Sequence, residues 1–245
     1  MTDTSERYQR QLPLIGETGQ ERLSTSRVLI AGAGGLGTTI ATFLAVAGIG
    51  FIRIVDEDTI ERNNLNRQIL YREPDRGERK AEIARQRLVE INPEIEVQAL
   101  CTHIDDQSIG GMVRGMDIIM DGMDNFSTRY VLNRAALRQK IPFIHGAVNG
   151  FYGQVTSIIP GKSPCLRCIV PHPPSADKVP IIGVTCGVIG SIQVTEAIKY
   201  LTGRGDILTG RLLLWDGFRG DAAIINVVNE PDCSECTGEW AGERG

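Results

Sequence analysis

The stretch Arg27-Val-Leu-Ile-Ala-Gly-Ala-Gly-Gly-Leu-Gly37 decides the fold class. Its first half, through Ala31, is an apolar run of the kind a strand buried on both faces needs. Its second half, Gly32-Ala-Gly34-Gly35-Leu-Gly37, suits a turn whose bare backbone approaches a phosphate at a helix N-terminus. An apolar helical stretch continues to Gly48, and a second run, Phe51-Ile-Arg-Ile-Val55, stops at Asp56. Strand, glycine turn, helix, strand and acid make half of a nucleotide-binding βαβ unit, with Asp56 placed to accept from a ribose hydroxyl. A dinucleotide-dependent oxidoreductase fits these residues, and so does a tight strand-to-helix turn with no ligand.

Outward from this core the alternation continues. Gly77 to Asn92 reads as a charged helix with Ala84, Leu88 and Ile91 on one face, stopped by Pro93. A strand follows at Ile95–Leu100, another at Asp117–Asp121, and a helix at Phe126–Gln139. The pattern then changes to an antiparallel strand pair around Asn149-Gly150, between Ala147 and Pro160. Four prolines between Pro171 and Pro180 rule out regular structure and predict a crossing loop over 171–185. A helix at Gly187–Leu201 and strands at Leu212–Trp215 and Ala223–Val228 complete the chain. There is no internal repeat or composition break. The expectation is one α/β domain over 1–245: a Rossmann-like mixed sheet with a parallel nucleotide-binding half, antiparallel C-terminal strands and an N-terminal helical arm at 1–26.

Composition narrows the function classes. Twenty-six basic against 30 acidic residues give −4, too near neutral to suggest a nucleic-acid or membrane-surface binder. The longest apolar stretch, Ile40–Ile52, is 13 residues, where a spanning helix needs about 20. Behind Met1 there is no apolar segment following a basic start, so a cytoplasmic protein is expected. Four of the six cysteines form two pairs, Cys165-x-x-Cys168 and Cys233-x-x-Cys236. In a reducing compartment such knuckles bind metal more often than they form disulfides, and four thiolates make a closed, structural zinc site. Cys101 and Cys186 stand alone. Cys186 precedes Gly187 at a helix start, where it is either a favoured thiolate or a small buried side chain. His103, His145 and His172 match no metal or triad spacing, and Phe151 and Tyr152 are expected in the core.

The residues past Asp56 argue against a dinucleotide. Asn63-Asn64-Leu65-Asn66-Arg67-Gln68 gathers amides and a guanidinium, Lys80 follows, and Asp124-Asn125 lies just past the strand ending at Asp121. In a sheet of this kind the strand C-terminal ends converge on the ligand. Arg67 and Lys80 would then face phosphates and Asp124 a magnesium ion, which is equipment for a triphosphate. Taken singly, each charge could equally be solvated surface.

The ordered set of motifs resembles the ubiquitin-activating-like enzymes of the ThiF type. Among these it is most similar to the adenylyltransferases of molybdopterin synthase and of the thiamine-pathway sulfur carrier. The matching pieces are Arg7-Tyr-Gln-Arg-Gln11, Gly32–Gly37, Asp56-Glu-Asp58, Asn64-Leu-Asn-Arg-Gln68, Lys80, Asp124-Asn-Phe-Ser-Thr-Arg129, Gly153-Gln154 and the two cysteine knuckles. Gly190-Ser-Ile-Gln193 with Glu196-Ala-Ile-Lys199 completes the series. The resemblance implies that Gly35 sits in the phosphate turn, Asp56 binds the ribose, Asn64, Arg67 and Lys80 contact phosphates, and Asp124 holds magnesium. Gly32, Gly34, Gly37, Asp58, Gln68 and Asn125 join the nucleotide-binding set. Arg10, by itself an ordinary surface charge, would reach the phosphates from the other subunit of a homodimer. The implied partner is a small ubiquitin-like sulfur carrier ending in Gly-Gly, whose terminal carboxylate is adenylated by ATP. A carboxylate is a poor acyl donor until its oxygen becomes part of a good leaving group, and adenylation calls for positioning and charge neutralisation more than acid–base groups. The crossing loop holds no cysteine, where relatives that form a thioester or persulfide carry theirs. Activation of a protein modifier is the alternative within the family; an oxidoreductase or a non-catalytic scaffold are the alternatives outside it.

Overall fold

The computed structural model describes residues 6–173 and 179–236. Helix α1 (Leu12–Thr25) leads into β1 (Arg27–Ala31), α2 (Gly35–Ala47) and β2 (Phe51–Val55). Next come α3 (Lys80–Ile91), β3 (Glu96–Leu100), α4 (Ile109–Val113), β4 (Ile118–Asp121), α5 (Phe126–Gln139) and β5 (Phe143–Asn149). The remainder is β6 (Tyr152–Ile158), α6 (Leu166–Ile169), α7 (Gly183–Thr202), β7 (Arg211–Asp216) and β8 (Asp221–Asn226).

All eight strands form one sheet in the order β3-β2-β1-β4-β5-β6-β7-β8. The first five are parallel, and β6, β7 and β8 are antiparallel to their neighbours. This is the mixed sheet that the alternation followed by hairpins predicts. Helices cover both faces, which is why β1 is apolar at consecutive positions: Val28 and Ile30 join the cluster under α2, α3 and α7, while Leu29 and Ala31 join the one under α4 and α5. Each such fully buried aliphatic side chain contributes about 2 kcal/mol. Chain order reverses between β1 and β4, and Ala31 lies level with both Val55 and Asp121. Three strand ends therefore open at one switch point, where α/β sheets bind ligands.

Some boundaries differ from expectation. The helix expected from Gly77 begins at Lys80, because Gly77 (φ +88°) closes a turn with its N–H donated to Ile60 O at 2.9 Å. Helix α7 begins at Gly183, so the crossing connection ends at Ile182; residues 174–178 of it, like 1–5 of the arm, lie outside the described residues. Helix α4 was hidden by Gly110-Gly111, and forms because Ile109, Met112 and Val113 bury together. Phe151 and Tyr152 are not core. They sit at the β5–β6 tip, outside both core clusters, where Tyr152 is 50% exposed and Phe218 packs at 4.3 and 5.9 Å from their ring centres.

Candidate active site

The glycine turn is built by close backbone approach. A Cβ at Gly37 would stand 1.9 Å from Gly32 O, and one at Gly32 (φ +90°) 2.7 Å from Gly122 O. Only glycine lets α2 begin this close to β1 and β4, leaving the unpaired N–H groups of its first turn facing a cavity of about 630 Å³. Gly32, Gly34 and Gly35 line it; Gly37 serves the packing behind it. Tyr71, which sequence reasoning passed over, braces the turn by donating its hydroxyl to Ala33 O at 2.8 Å.

The acids and cations expected here converge on that cavity. Asp56 accepts from Ala33 N at 2.7 Å and from Asp58 N at 2.9 Å. Burial pushes its carboxyl above the usual range, against the opposing charge of Lys80 and the two backbone N–H groups. Lys80 is no solvated surface lysine: its side chain is 8% exposed and its Nζ lies 2.7 Å from Asp58 Oδ2. Asn64 is buried and closes the short 3-10 turn Arg62–Asn64, accepting from Glu61 N at 3.0 Å. That bond holds the following Arg67, whose guanidinium is steadied by Asn63 O at 2.7 Å and Asn66 Oδ1 at 3.2 Å. Gln68 is 3% exposed, lines the cavity beside Gly34, and its Oε1 has no partner. An orphaned buried acceptor is costly unless a ligand donates to it.

Asp124 and Asn125 divide their work. Asn125 caps α5, its Oδ1 accepting from Thr128 N at 2.9 Å and Ser127 Oγ at 2.6 Å. Its amide nitrogen donates to Asp124 Oδ1 at 3.3 Å, so it positions the neighbouring carboxylate. Asp124 is exposed and borders both this cavity and a second, more apolar groove of about 870 Å³. Asn125, Arg129, Val148 and Val179 also line both, so the two spaces are continuous. The groove runs past Tyr152 and Gln154 to Leu214, Trp215 and Ala223.

Two histidines read as bystanders, and Cys186, whose role was left open, have places here. His103 lines the same cavity, its Nδ1 2.6 Å from Glu57 Oε1, which holds its pKa above the usual value. His145 is fully buried against Asp121, whose carboxylate also pairs with buried Arg129 at 3.1 Å. Cys186 is buried where a Cβ on Gly35 would meet its sulfur at 2.7 Å; burial raises its pKa and leaves it a packing residue. His172 is exposed.

The four paired cysteines do converge. Cys165 lies 3.9 Å from Cys168 and 3.7 Å from Cys233, sulfur to sulfur, and Cys168 is 3.4 Å from Cys236. Four thiolates around a zinc at 2.3 Å stand about 3.8 Å apart, so the donor set fits a tetrahedral zinc ion. Asn133 joins the two knuckles, accepting from Leu166 N at 2.9 Å and donating to Glu235. Arg10 is exposed ahead of α1 and is not among the residues lining its own chain's cavity. Tyr8 and Gln11 beside it are anchored, Gln11 Nε2 donating to Ala47 O at 2.9 Å and Asn92 Nδ2 to the Tyr8 hydroxyl at 2.9 Å.

A doubly wound sheet with a glycine turn at its switch point, an acid closing β2 and a lysine held beside it defines a nucleotide-binding α/β protein. The chain belongs to the ThiF family, whose model matches residues 8–237. A SAMP-activating enzyme E1 of Haloferax volcanii is 38% identical over 94% of this chain and 88% of its own length. A sulfur carrier protein adenylyltransferase of Thermus thermophilus is 38% identical over 96% and 91%. The chain spans about half (54%) of an adenylyltransferase and sulfurtransferase MOCS3 of Drosophila yakuba, at 40% identity over 97% of this chain. Among solved structures, E. coli MccB with ATP superposes at a TM-score of 0.84, 25% identical, over 94% of this chain and 74% of that one.

Proposed function

We propose that the protein adenylates the C-terminal glycine carboxylate of a small ubiquitin-like sulfur carrier ending in Gly-Gly, at the expense of ATP. The observation that carries this reading is the continuity of two spaces at Asp124: a polar cavity with Lys80, Arg67 and the glycine turn, and an apolar groove leading away from it. The first suits a triphosphate and the second an extended peptide tail. The names of the Haloferax and Thermus relatives support the same chemistry.

In this reading Asp56 accepts from the ribose, and the N–H groups of the Gly34–Gly37 turn face the phosphates. The glycine carboxylate oxygen attacks the α-phosphorus; that P–O bond forms as the bond to the β-phosphate oxygen breaks, and pyrophosphate leaves. Lys80 and Arg67 neutralise charge developing on the phosphate oxygens, and Asn64 keeps Arg67 in place. Asp124, exposed at the junction, would hold magnesium, which supplies further neutralisation of the phosphates. Gln68 offers its unpartnered oxygen to a ligand hydroxyl or amine. Zinc on Cys165, Cys168, Cys233 and Cys236 would be structural, tying the C-terminal segment to the turn after β6.

Arg10 contributes in trans from a homodimer partner, which fits its position outside its own chain's cavity. The whole chain works as one adenylation domain in the cytoplasm, with no nucleic-acid or membrane partner. The decisive test is pyrophosphate exchange with purified Gly-Gly carriers, beside calorimetric titration with ATP and with NAD. Carrier-dependent exchange with ATP binding is expected; NAD binding without ATP binding overturns the reading. Mixing Arg10→Ala with Asp124→Ala subunits should restore exchange through one complete site per mixed dimer. Absence of rescue after demonstrated subunit exchange removes the role in trans.

A further inference from the structure

Behind the groove a buried polar chain runs from Arg129 through Asp121 and His145 to Gln154. Asp121 Oδ1 accepts from Met123 N at 3.0 Å, and Oδ2 accepts from Arg129 Nε at 3.1 Å and faces His145 Nδ1 at 2.6 Å. All the polar capacity of that carboxylate is therefore turned towards donors, and Nδ1 carries the imidazole's hydrogen. Burial pushes the His145 pKa below its usual value, with Asp121 opposing, which favours the neutral ring. A neutral imidazole with hydrogen on Nδ1 has a bare lone pair on Nε2. Gln154 Nε2 lies 3.1 Å from that nitrogen.

This fixes which way the Gln154 amide faces. Only its NH2 can satisfy a lone pair, so its Oε1 must point the other way. The two side chains are diagonal neighbours on one face of the β5–β6 pair, since His145 is opposite Thr156 and Gln154 opposite Ala147. Gln154 is half-buried and lines the groove, whereas His145 is fully buried behind it. The groove otherwise offers mostly apolar surface around this point, from Val148, Tyr152 and Leu214. An oriented carbonyl oxygen in such surroundings recognises a donor, and an extended peptide tail supplies one at every backbone N–H.

We propose that Gln154 is a substrate-contacting residue whose Oε1 accepts a hydrogen bond from a backbone N–H of the carrier's C-terminal tail, with Asp121 and His145 as positioning residues that hold it in that orientation. The inference rests on the adenylation reading of the same site. It adds a selector for main chain, which suits a tail whose glycines offer no side chains to grip. It also assigns work to a buried histidine that the adenylation chemistry does not use.

The test is steady-state pyrophosphate exchange with a purified Gly-Gly carrier and with carriers in which one tail amide at a time is an ester, oxygen replacing N–H. Gln154→Leu should raise KM for the carrier about tenfold, leave KM for ATP unchanged and lower kcat little, as loss of a ground-state contact does. His145→Phe keeps the ring volume and should raise the same KM by about threefold. The double variant should be no worse than Gln154→Leu alone, because the histidine acts through the glutamine. With the unmodified enzyme, one ester position should cost about fivefold in carrier KM, and that cost should vanish in Gln154→Leu. Zinc content and thermal midpoint report whether each variant is folded, and the ester series needs no variant to show its first effect. An unchanged carrier KM in folded Gln154→Leu, or ester costs identical in both enzymes, overturns the assignment while leaving adenylation intact. No exchange by the unmodified enzyme with any carrier overturns adenylation itself, and the assignment with it.

Discussion

Strands β4 and β8 belong to one sheet and could hardly differ more in their surroundings. Every residue of β4 is buried; every residue of β8 is exposed, including Ile224 at 54% and Ile225 at 45%. The parallel half is covered on both faces by its own crossover helices, which parallel strands require. The antiparallel end has no crossovers, so β8 extends the sheet beyond helical cover, while β7 still packs Leu213 and Trp215 on the core. The parallel half therefore gathers the glycine turn, Asp56, Arg67 and Lys80 around one cavity, whereas the groove beside it runs to the other end, where Leu214 and Ala223 line it. In the adenylation reading proposed above, a carrier whose tail lies in the groove would rest its body on that surface.

If the halves divide the work in this way, damage to each should register in a different measurement. The largest effect belongs to Lys80. Lys80→Ala removes the buried ammonium beside Asp58 and should cut exchange about 10²-fold or more, with little change in carrier affinity. Intact exchange in that variant would remove the phosphate assignment and the division with it. Next comes the cysteine cluster. Cys233→Ser should lose about one equivalent of zinc and much of the thermal stability together, because metal binding and folding are linked. A fully folded, metal-free protein under reducing conditions would break this expectation. A smaller effect is expected at β8. Ile225→Glu, on the same face of β8 as groove-lining Ala223, should raise KM for the carrier about tenfold and leave ATP binding alone. A change in ATP affinity instead would mean that the two ends are not separable.

How much of this was legible beforehand follows from the range of the forces involved. The β1–Gly37 segment announces itself because burial on two faces and backbone proximity each demand particular residue types over eleven consecutive positions. Lys80 was visible at the start of a charged helix, Asp124 just past an apolar strand, and the two knuckles by spacing alone. The long-range pairings were not. Nothing local marks Tyr71 as a brace for Ala33, Asn133 as the link between two cysteine turns, or His145 as the partner of Asp121. Each joins positions tens of residues apart through hydrogen bonds that leave no periodic trace. The α4 helix was illegible for the opposite reason, since tertiary burial of Met112 and Val113 overrides two glycines of low helix propensity.

The smallest expected effect sits at the boundary between the halves. His145, on β5, is buried among Asp121, Arg129 and Gln154, and burial holds its pKa below the usual 6.5. In the unfolded chain the same imidazole takes up a proton as pH falls past about 6.5, while in the folded protein it does not until lower pH. The unfolded state then binds more protons, so His145's contribution makes stability fall as pH drops from about 6.5, by at most about 1.4 kcal/mol per pH unit. Two other groups work in the opposite sense. His103 has its pKa raised by Glu57, and Asp56 has its own raised by burial, so each binds protons more readily when folded and loses stability as pH rises. The total slope mixes all three, which is why the comparison has to be made with His145→Phe. Urea unfolding of both proteins at pH 7.5, 6.5 and 5.5 should show the gap between them narrowing as pH falls, because only the unmodified chain carries the penalty. A gap that widens as pH falls would mean that His145 is protonated in the folded protein. Its Nε2 would then no longer be an acceptor, and Gln154 would turn its oxygen towards the histidine instead of the groove.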